Sequence, residues 1–215
     1  MPALTLPPNP WGDSRRVAVG LLGGSFNPAH EGHRHISVEA LKRLGLDEVW
    51  WLVSPQNPLK PVAGMAPVAE RLAWAKAVAR HPRIRVSALE ADLGSTYTAD
   101  LLAVLPVRFP RTAFVWLMGA DNLAQIPRWK AWQSIFHRTP VAILDRGTYS
   151  YSALTGKAAQ RFASARLPVR RARALAGEKP PAWVFLPIRR HAASATEIRA
   201  RRDRGQPGGW YSHGC

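Results

Sequence analysis

The chain has 215 residues, 47% of them hydrophobic, which suits one α/β domain with a full core and excludes a disordered polypeptide. Its 30 lysines and arginines outnumber 14 acidic residues, and the formal charge of +16 favours anionic partners, either nucleic acid or small phosphorylated molecules. One cysteine, Cys215, allows no disulfide within the chain, and no run approaches the ~18 apolar residues needed to cross a bilayer. The first residues, MPALTLPPNPWGDSRR, lack the basic-then-apolar order of a signal peptide. The expectation is a soluble cytoplasmic protein with no membrane partner.

Short apolar runs alternate with helical patterns. Val17 to Leu22 reads as a buried strand, Glu31 to Leu44 as a helix stopped by Gly45, and Glu48 to Val53 as a second strand. A proline-punctuated loop follows, then a helix over Val68 to Arg80 with Val68, Leu72, Ala75 and Ala79 at helical spacing. Ile84 to Leu89 is the third strand, and Thr98 is placed to cap a short helix ending at Leu105. Ala113 to Met118 makes a fourth strand, Arg128 to Phe136 a helix, Val141 to Leu144 a fifth strand and Ala182 to Leu186 a sixth. The Ala/Arg-rich stretch before that strand reads as a helix and an irregular basic excursion, and a last helix runs from Ser194 to about Arg204. Strands separated by helices imply parallel pairing, so the fold is a single-domain, doubly wound α/β sheet whose ligands sit beyond the strand carboxyl ends.

The stretch GLLGGSFNPAHEGHRH, from Gly20, joins a strand end to a helix start. It lacks the Gly-Lys-Ser/Thr of a P-loop, its glycines miss the dinucleotide fingerprint, and Arg34 stands where a zinc protease needs its second histidine. What remains is a small-residue turn followed by two imidazoles. Gly23 and Gly24 let backbone amides approach an anion, Pro28 delays the helix, and His30 and His33 share one face of its first turn. Gly32 leaves that face open, and the helix start adds unpaired amides and a partial positive charge.

Here the residues resemble a known signature. Gly23 to His33 is similar to the G-G-x-F-x-P-x-H-x-G-H motif of the nucleotidyltransferase superfamily, most closely that of bacterial nicotinate-nucleotide adenylyltransferases. Ser194-Ala195-Thr196-Glu197-Ile198-Arg199 resembles the family's S-S-T-x-I-R, with Ala195 in place of a serine. Between them, STYTAD (Ser95 to Asp100) and GADNLAQIPRWKAW (Gly119 to Trp132) match family segments in order. The likeness spans about Val17 to Arg199, which sets residues 1–16 and 205–215 apart as an N-terminal extension and a C-terminal tail.

The resemblance implies a Rossmann-like nucleotidyltransferase fold and the joining of ATP to nicotinate mononucleotide, with pyrophosphate released. It implies phosphate contacts from His30, His33 and Arg199, and ATP contacts from Gly23, Gly24, Ser25, Phe26, Gly32, Gly119, Asp121, Ser194 and Thr196. Lys60, Tyr97, Thr98, Trp129 and Arg146 would serve the mononucleotide, with Trp129 stacked on the pyridine ring. Beside a polyanion the two histidines are expected as imidazolium. Mg²⁺ is expected with ATP, and no protein-only metal cage is visible. Ser194 with Glu197 also reads as an ordinary capping box. The chain lacks the last apolar helix common in the family, so a homo-oligomer stays open.

Rival readings are an adenylyltransferase acting on nicotinamide mononucleotide or phosphopantetheine, and a basic nucleic-acid-binding module using Arg161 to Arg204. The nucleic-acid reading ranks last, because charge runs usually form a solvated face.

Overall fold

Seven parallel strands in the order β3-β2-β1-β4-β5-β7-β6 form the centre of the computed structural model, which describes residues 17–55, 64–92, 97–145 and 150–189. In chain order these are β1 (Val17–Gly24), β2 (Glu48–Val53), β3 (Ile84–Ser87), β4 (Thr112–Gly119), β5 (Val141–Asp145), β6 (Arg166–Leu167) and β7 (Trp183–Pro187). Winding proceeds outward both ways from β1 and β4, so the expected doubly wound sheet is present.

Strict alternation along the strands builds two cores. Val19 and Leu21, Trp50 and Leu52, Phe114 and Trp116, Val141 and Ile143, and Trp183 and Phe185 point to one face. Leu22, Val49 and Trp51, Val115 and Leu117, Ala142 and Leu144, and Val184 and Leu186 point to the other. The second face is covered by α1 (Glu31–Leu44), α2 (Val68–Ala79) and a 3₁₀ segment, Val169–Gly177, that contributes Ala172 and Leu175. The first face packs against α3 (Leu89–Asp92), α4 (Thr98–Arg108), α5 (Ala120–Gln125), α6 (Trp132–Arg138), α7 (Ser150–Leu154) and α8 (Lys157–Arg161). Parallel strands buried on both faces need near-continuous apolar runs, which EVWWLV and AFVWLM supply.

Several boundaries differ from the sequence expectation, each for a local reason. β1 runs on through Gly23 and Gly24 because both pair with β2, opposite Leu52 and Val53. β3 stops at Ser87, whose hydroxyl accepts the Leu89 N–H at 3.1 Å and turns the chain into α3. α4 is entered at Tyr97, with no side-chain cap, so Thr98 is its first helical residue rather than its cap. It continues to Arg108 through Pro106, whose missing N–H takes the bond to Leu102 out of the last turn.

The single helix expected over Arg128 to Phe136 is split. Pro127 cannot extend α5 and opens the 3₁₀ turn Ile126–Arg128, Trp129 is extended, and Ala131 at φ 48° redirects the chain into α6. β6 has only two residues, too few to leave a periodic signal, and lies outside β7 at the sheet edge. The strand expected sixth is therefore the seventh. The helix expected from Ser194 lies outside the described residues.

Gly23 is fixed by packing as well as by pairing. A Cβ there would lie 2.5 Å from the Trp116 ring of β4, whereas one at Gly24 would meet the Phe26 ring at 3.4 Å. Gly23→Ala should therefore lower unfolding free energy by about 1–3 kcal/mol through overpacking. Gly24→Ala should cost less than half as much in the same urea titration, and equal losses would contradict the Trp116 contact.

Candidate active site

β1 and β4 lie side by side, and the chain leaves their carboxyl ends toward opposite faces, into α1 and α5. Such a switch point leaves a crevice beyond the strand ends. Gly23 and Gly24 end β1, and Gly119 ends β4. A Cβ at Gly119 would fall 2.3 Å from Asp121 Oδ1, so the glycine leaves room for the Asp121 carboxylate to fold back over the start of α5.

The start of α1 carries the histidine pair. His30 is the N-cap, in extended conformation at φ −153° and ψ 165°, with its ring nitrogen Nδ1 accepting the Gly32 N–H at 3.1 Å. In return, His33 Nδ1 accepts the His30 backbone N–H at 3.2 Å, completing a capping box built from imidazoles. A nitrogen that accepts an N–H carries no proton, so the network assigns both rings the Nε2–H tautomer. A proton on Nδ1 would compete with these two bonds.

The rings are also braced from below. Their centroids lie 3.9 Å apart, and His33 packs 4.8 Å from Phe26 and 5.9 Å from Trp51. Phe26 is buried, stacked 5.1 Å from Trp51, and held at φ 48°, a conformation that non-glycine residues seldom adopt. Its ring therefore supports His33, and only its backbone can face a nucleotide. The Trp51 indole donates to Ser37 Oγ at 2.7 Å, and that hydroxyl donates to the His33 carbonyl at 2.9 Å.

Three buried polar side chains escaped the sequence reading. Arg71 heads the buried stripe of α2, four and eight residues before Ala75 and Ala79. That position on an apolar face was the available signal, masked by the Val68–Leu72 spacing. Asp145 ends β5, and Glu90 lies in α3, where the Ser54 hydroxyl donates to its carboxylate.

A second group forms on the opposite face. Lys130, beside Trp129, places its ammonium 4.3 Å over the Tyr97 ring and 3.2 Å from Asp100 Oδ2, which ties the Trp129 segment to the first turn of α4. Trp129 is half-buried against the core, and Tyr97 is exposed. The structure thus joins Gly23, Gly24, Ser25, Phe26, His30, Gly32 and His33 in one turn. It sets Gly119 and Asp121 across the switch point and gathers Tyr97, Thr98 and Trp129 separately. Lys60, Arg146, Ser194, Thr196 and Arg199 lie outside the described residues.

Comparison with known proteins adds to this geometry. A profile of cytidylyltransferase-like proteins matches residues 21–201. A probable nicotinate-nucleotide adenylyltransferase of Cereibacter sphaeroides is 54% identical over 191 residues, 88% of this chain and 99% of the relative. One from Gluconacetobacter diazotrophicus is 50% identical over 190 residues, 88% of each chain. Among solved structures, the nicotinic acid mononucleotide adenylyltransferase of Plasmodium falciparum complexed with NaAD superposes with a TM-score of 0.64 at 17% identity, covering 86% of this chain and 83% of that one. That last likeness bears on the fold alone.

Burial pushes the Glu90 carboxyl from its ordinary 4.5 up to about 7, while the hydrogen bond from Ser54 pulls the other way. Between those values the folded protein keeps a proton that the unfolded chain has released, so stability falls as pH rises through the window and levels off above it. Glu90→Gln removes this loss. Its stability margin over wild type should grow by about 2–3 kcal/mol between pH 5 and pH 8 in urea unfolding. A margin independent of pH would contradict the protonated carboxyl.

Proposed function

Because the chain belongs to the nicotinate-nucleotide adenylyltransferase family of cytidylyltransferase-like proteins, we propose that it transfers the adenylyl group of MgATP to nicotinate mononucleotide, giving deamido-NAD and pyrophosphate. The observation that carries this reading is the imidazole capping box directly beyond the glycine end of β1, in which both rings accept backbone N–H groups through Nδ1. A phosphate oxygen of the mononucleotide attacks the α-phosphorus. The new O–P bond forms as the bond from that phosphorus to the bridging oxygen of pyrophosphate breaks. No protein nucleophile is needed, so catalysis is positioning together with stabilisation of charge on phosphoryl oxygens.

In this reading His30 and His33 donate from Nε2 to the ATP phosphates, and the Gly23–Ser25 turn and the first amides of α1 hold the same chain of phosphates. Because the rings act as neutral donors, positive charge comes from elsewhere. Arg199, with Ser194 and Thr196, is proposed to grip the triphosphate from the last helix, as the family signature implies. Asp121 would accept from ribose hydroxyls beside Gly119. Trp129 would stack on the pyridine, and the start of α4 at Tyr97 and Thr98, which has no side-chain cap, would receive its carboxylate. Lys60 and Arg146 complete the mononucleotide site.

Among the described residues no group of three or more histidine, cysteine, aspartate or glutamate side chains could hold a metal ion. That donor set suits a cation that arrives on the nucleotide and keeps most of its water. The chemistry such a cation would supply is neutralisation of charge on the departing pyrophosphate. Among the described residues, no helix is long and apolar enough to cross a membrane. We assign the reaction to the cytoplasm on the single cysteine in 215 residues, and the catalytic domain to residues 17–204.

Pyrophosphate release from MgATP should be fastest with nicotinate mononucleotide, against nicotinamide mononucleotide and phosphopantetheine as competitors. Preference for either competitor would contradict the substrate assignment. His33→Ala should lower kcat by about 10²–10³-fold, the usual scale for losing one preorganised donor. Its circular dichroism should match wild type. Turnover within threefold of wild type would remove the histidine from the chemistry.

A further inference from the structure

We infer that Arg71 is a positioning residue for the triphosphate cradle, its buried guanidinium setting the place of the Ser25–Phe26 turn against the loops that flank β2 and α2. This rests on the reading of that turn as part of the ATP site. Arg71 is 1% exposed. Its Nε donates to the Ala66 carbonyl at 2.8 Å, Nη1 to Ser25 O at 2.7 Å and Ser54 O at 2.6 Å, and Nη2 to Pro55 O at 2.8 Å. These four carbonyls come from three segments: one after β1, one after β2 and one before α2. A planar fork of five N–H donors can span them, and a single ammonium cannot.

The arrangement is costly, which argues against a purely space-filling role. Among the described residues Arg71 meets carbonyl dipoles and no carboxylate, and burial lowers its pKa. An apolar side chain of similar volume would extend the Ala75–Ala79 stripe with no such desolvation.

What the guanidinium supplies is orientation. In a trans peptide the carbonyl and the following N–H point in opposite directions. With the Ser25 carbonyl drawn onto Arg71, the Phe26 N–H is turned away from it, and that N–H meets no acceptor among the described residues. The same contact is consistent with Phe26 staying at φ 48°. Asn27 adds a parallel tie, donating from Nδ2 to the Gly64 carbonyl at 2.8 Å and accepting the Ala66 N–H at 3.3 Å. Both side chains thus fasten the cradle turn to the stretch that leads into α2.

The test uses Arg71→Lys, which keeps the charge but not the fork, Arg71→Met, which keeps the volume, and Asn27→Ala. ATP affinity is read by equilibrium dialysis, KM for ATP and for the mononucleotide separately, and thermal midpoint alongside. Both Arg71 variants should bind ATP at least tenfold more weakly, with mononucleotide KM within twofold of wild type. Asn27→Ala should show the same ATP-selective loss at about threefold or more. ATP affinity within twofold of wild type in both Arg71 variants would overturn the inference, as would KM values for both substrates that rise together with loss of thermal midpoint. If neither Arg71 variant folds, Asn27→Ala decides: a selective loss of ATP affinity supports the inference and unchanged affinity overturns it. A wild-type protein that binds ATP but ignores nicotinate mononucleotide contradicts the proposed function and leaves the dialysis result to judge Arg71. One that binds no ATP overturns both.

Discussion

Two backbone N–H groups, each donated to an imidazole Nδ1, settle most of what this protein can do at the start of α1. A helix start always has amides without intrahelical partners, and a serine or aspartate usually satisfies them. Here histidines do so with Nδ1. The cap thereby couples local folding to tautomer, because the same bonds that begin the helix leave the proton on Nε2. Gly32, the donor to His30, stands between the two histidines in sequence and adds no side chain beside them.

The rest of the fold serves that arrangement in layers. Phe26 and Trp51 form a stacked floor under His33, and Ser37 links the Trp51 indole to the first turn of α1. Arg71 and Asn27 fasten the turn before the cap to the neighbouring loops. Gly23 is small because Trp116 needs the space, so the adjacent strand limits what can follow β1. Each contact is modest, of order 1 kcal/mol. Together they leave the rings few other positions, and this is the rigidity that electrostatic catalysis needs.

The central strands, the layer arrangement and the glycine–histidine turn were legible because period-two burial and ordered motifs leave strong local signals. Elements set by single contacts were not. Ser87 ends β3 with one hydroxyl, Ala131 breaks the Trp129 region with one positive φ, and β6 is two residues long. Arg71 was hidden for another reason: its partners are backbone carbonyls, which have no sequence signature. The imidazole cap was hidden in the same way, because it depends on backbone N–H groups that a string of letters does not show.

The direct test is ¹⁵N NMR of the histidine side chains in the protein at pH 8, recorded free and with MgATP. The account predicts that His30 and His33 both carry their proton on Nε2 in each state, with Nδ1 shifted as a hydrogen-bond acceptor and the Nε2 resonances displaced when MgATP binds. A proton on Nδ1 of either ring, or Nε2 resonances that MgATP leaves unmoved, would contradict it.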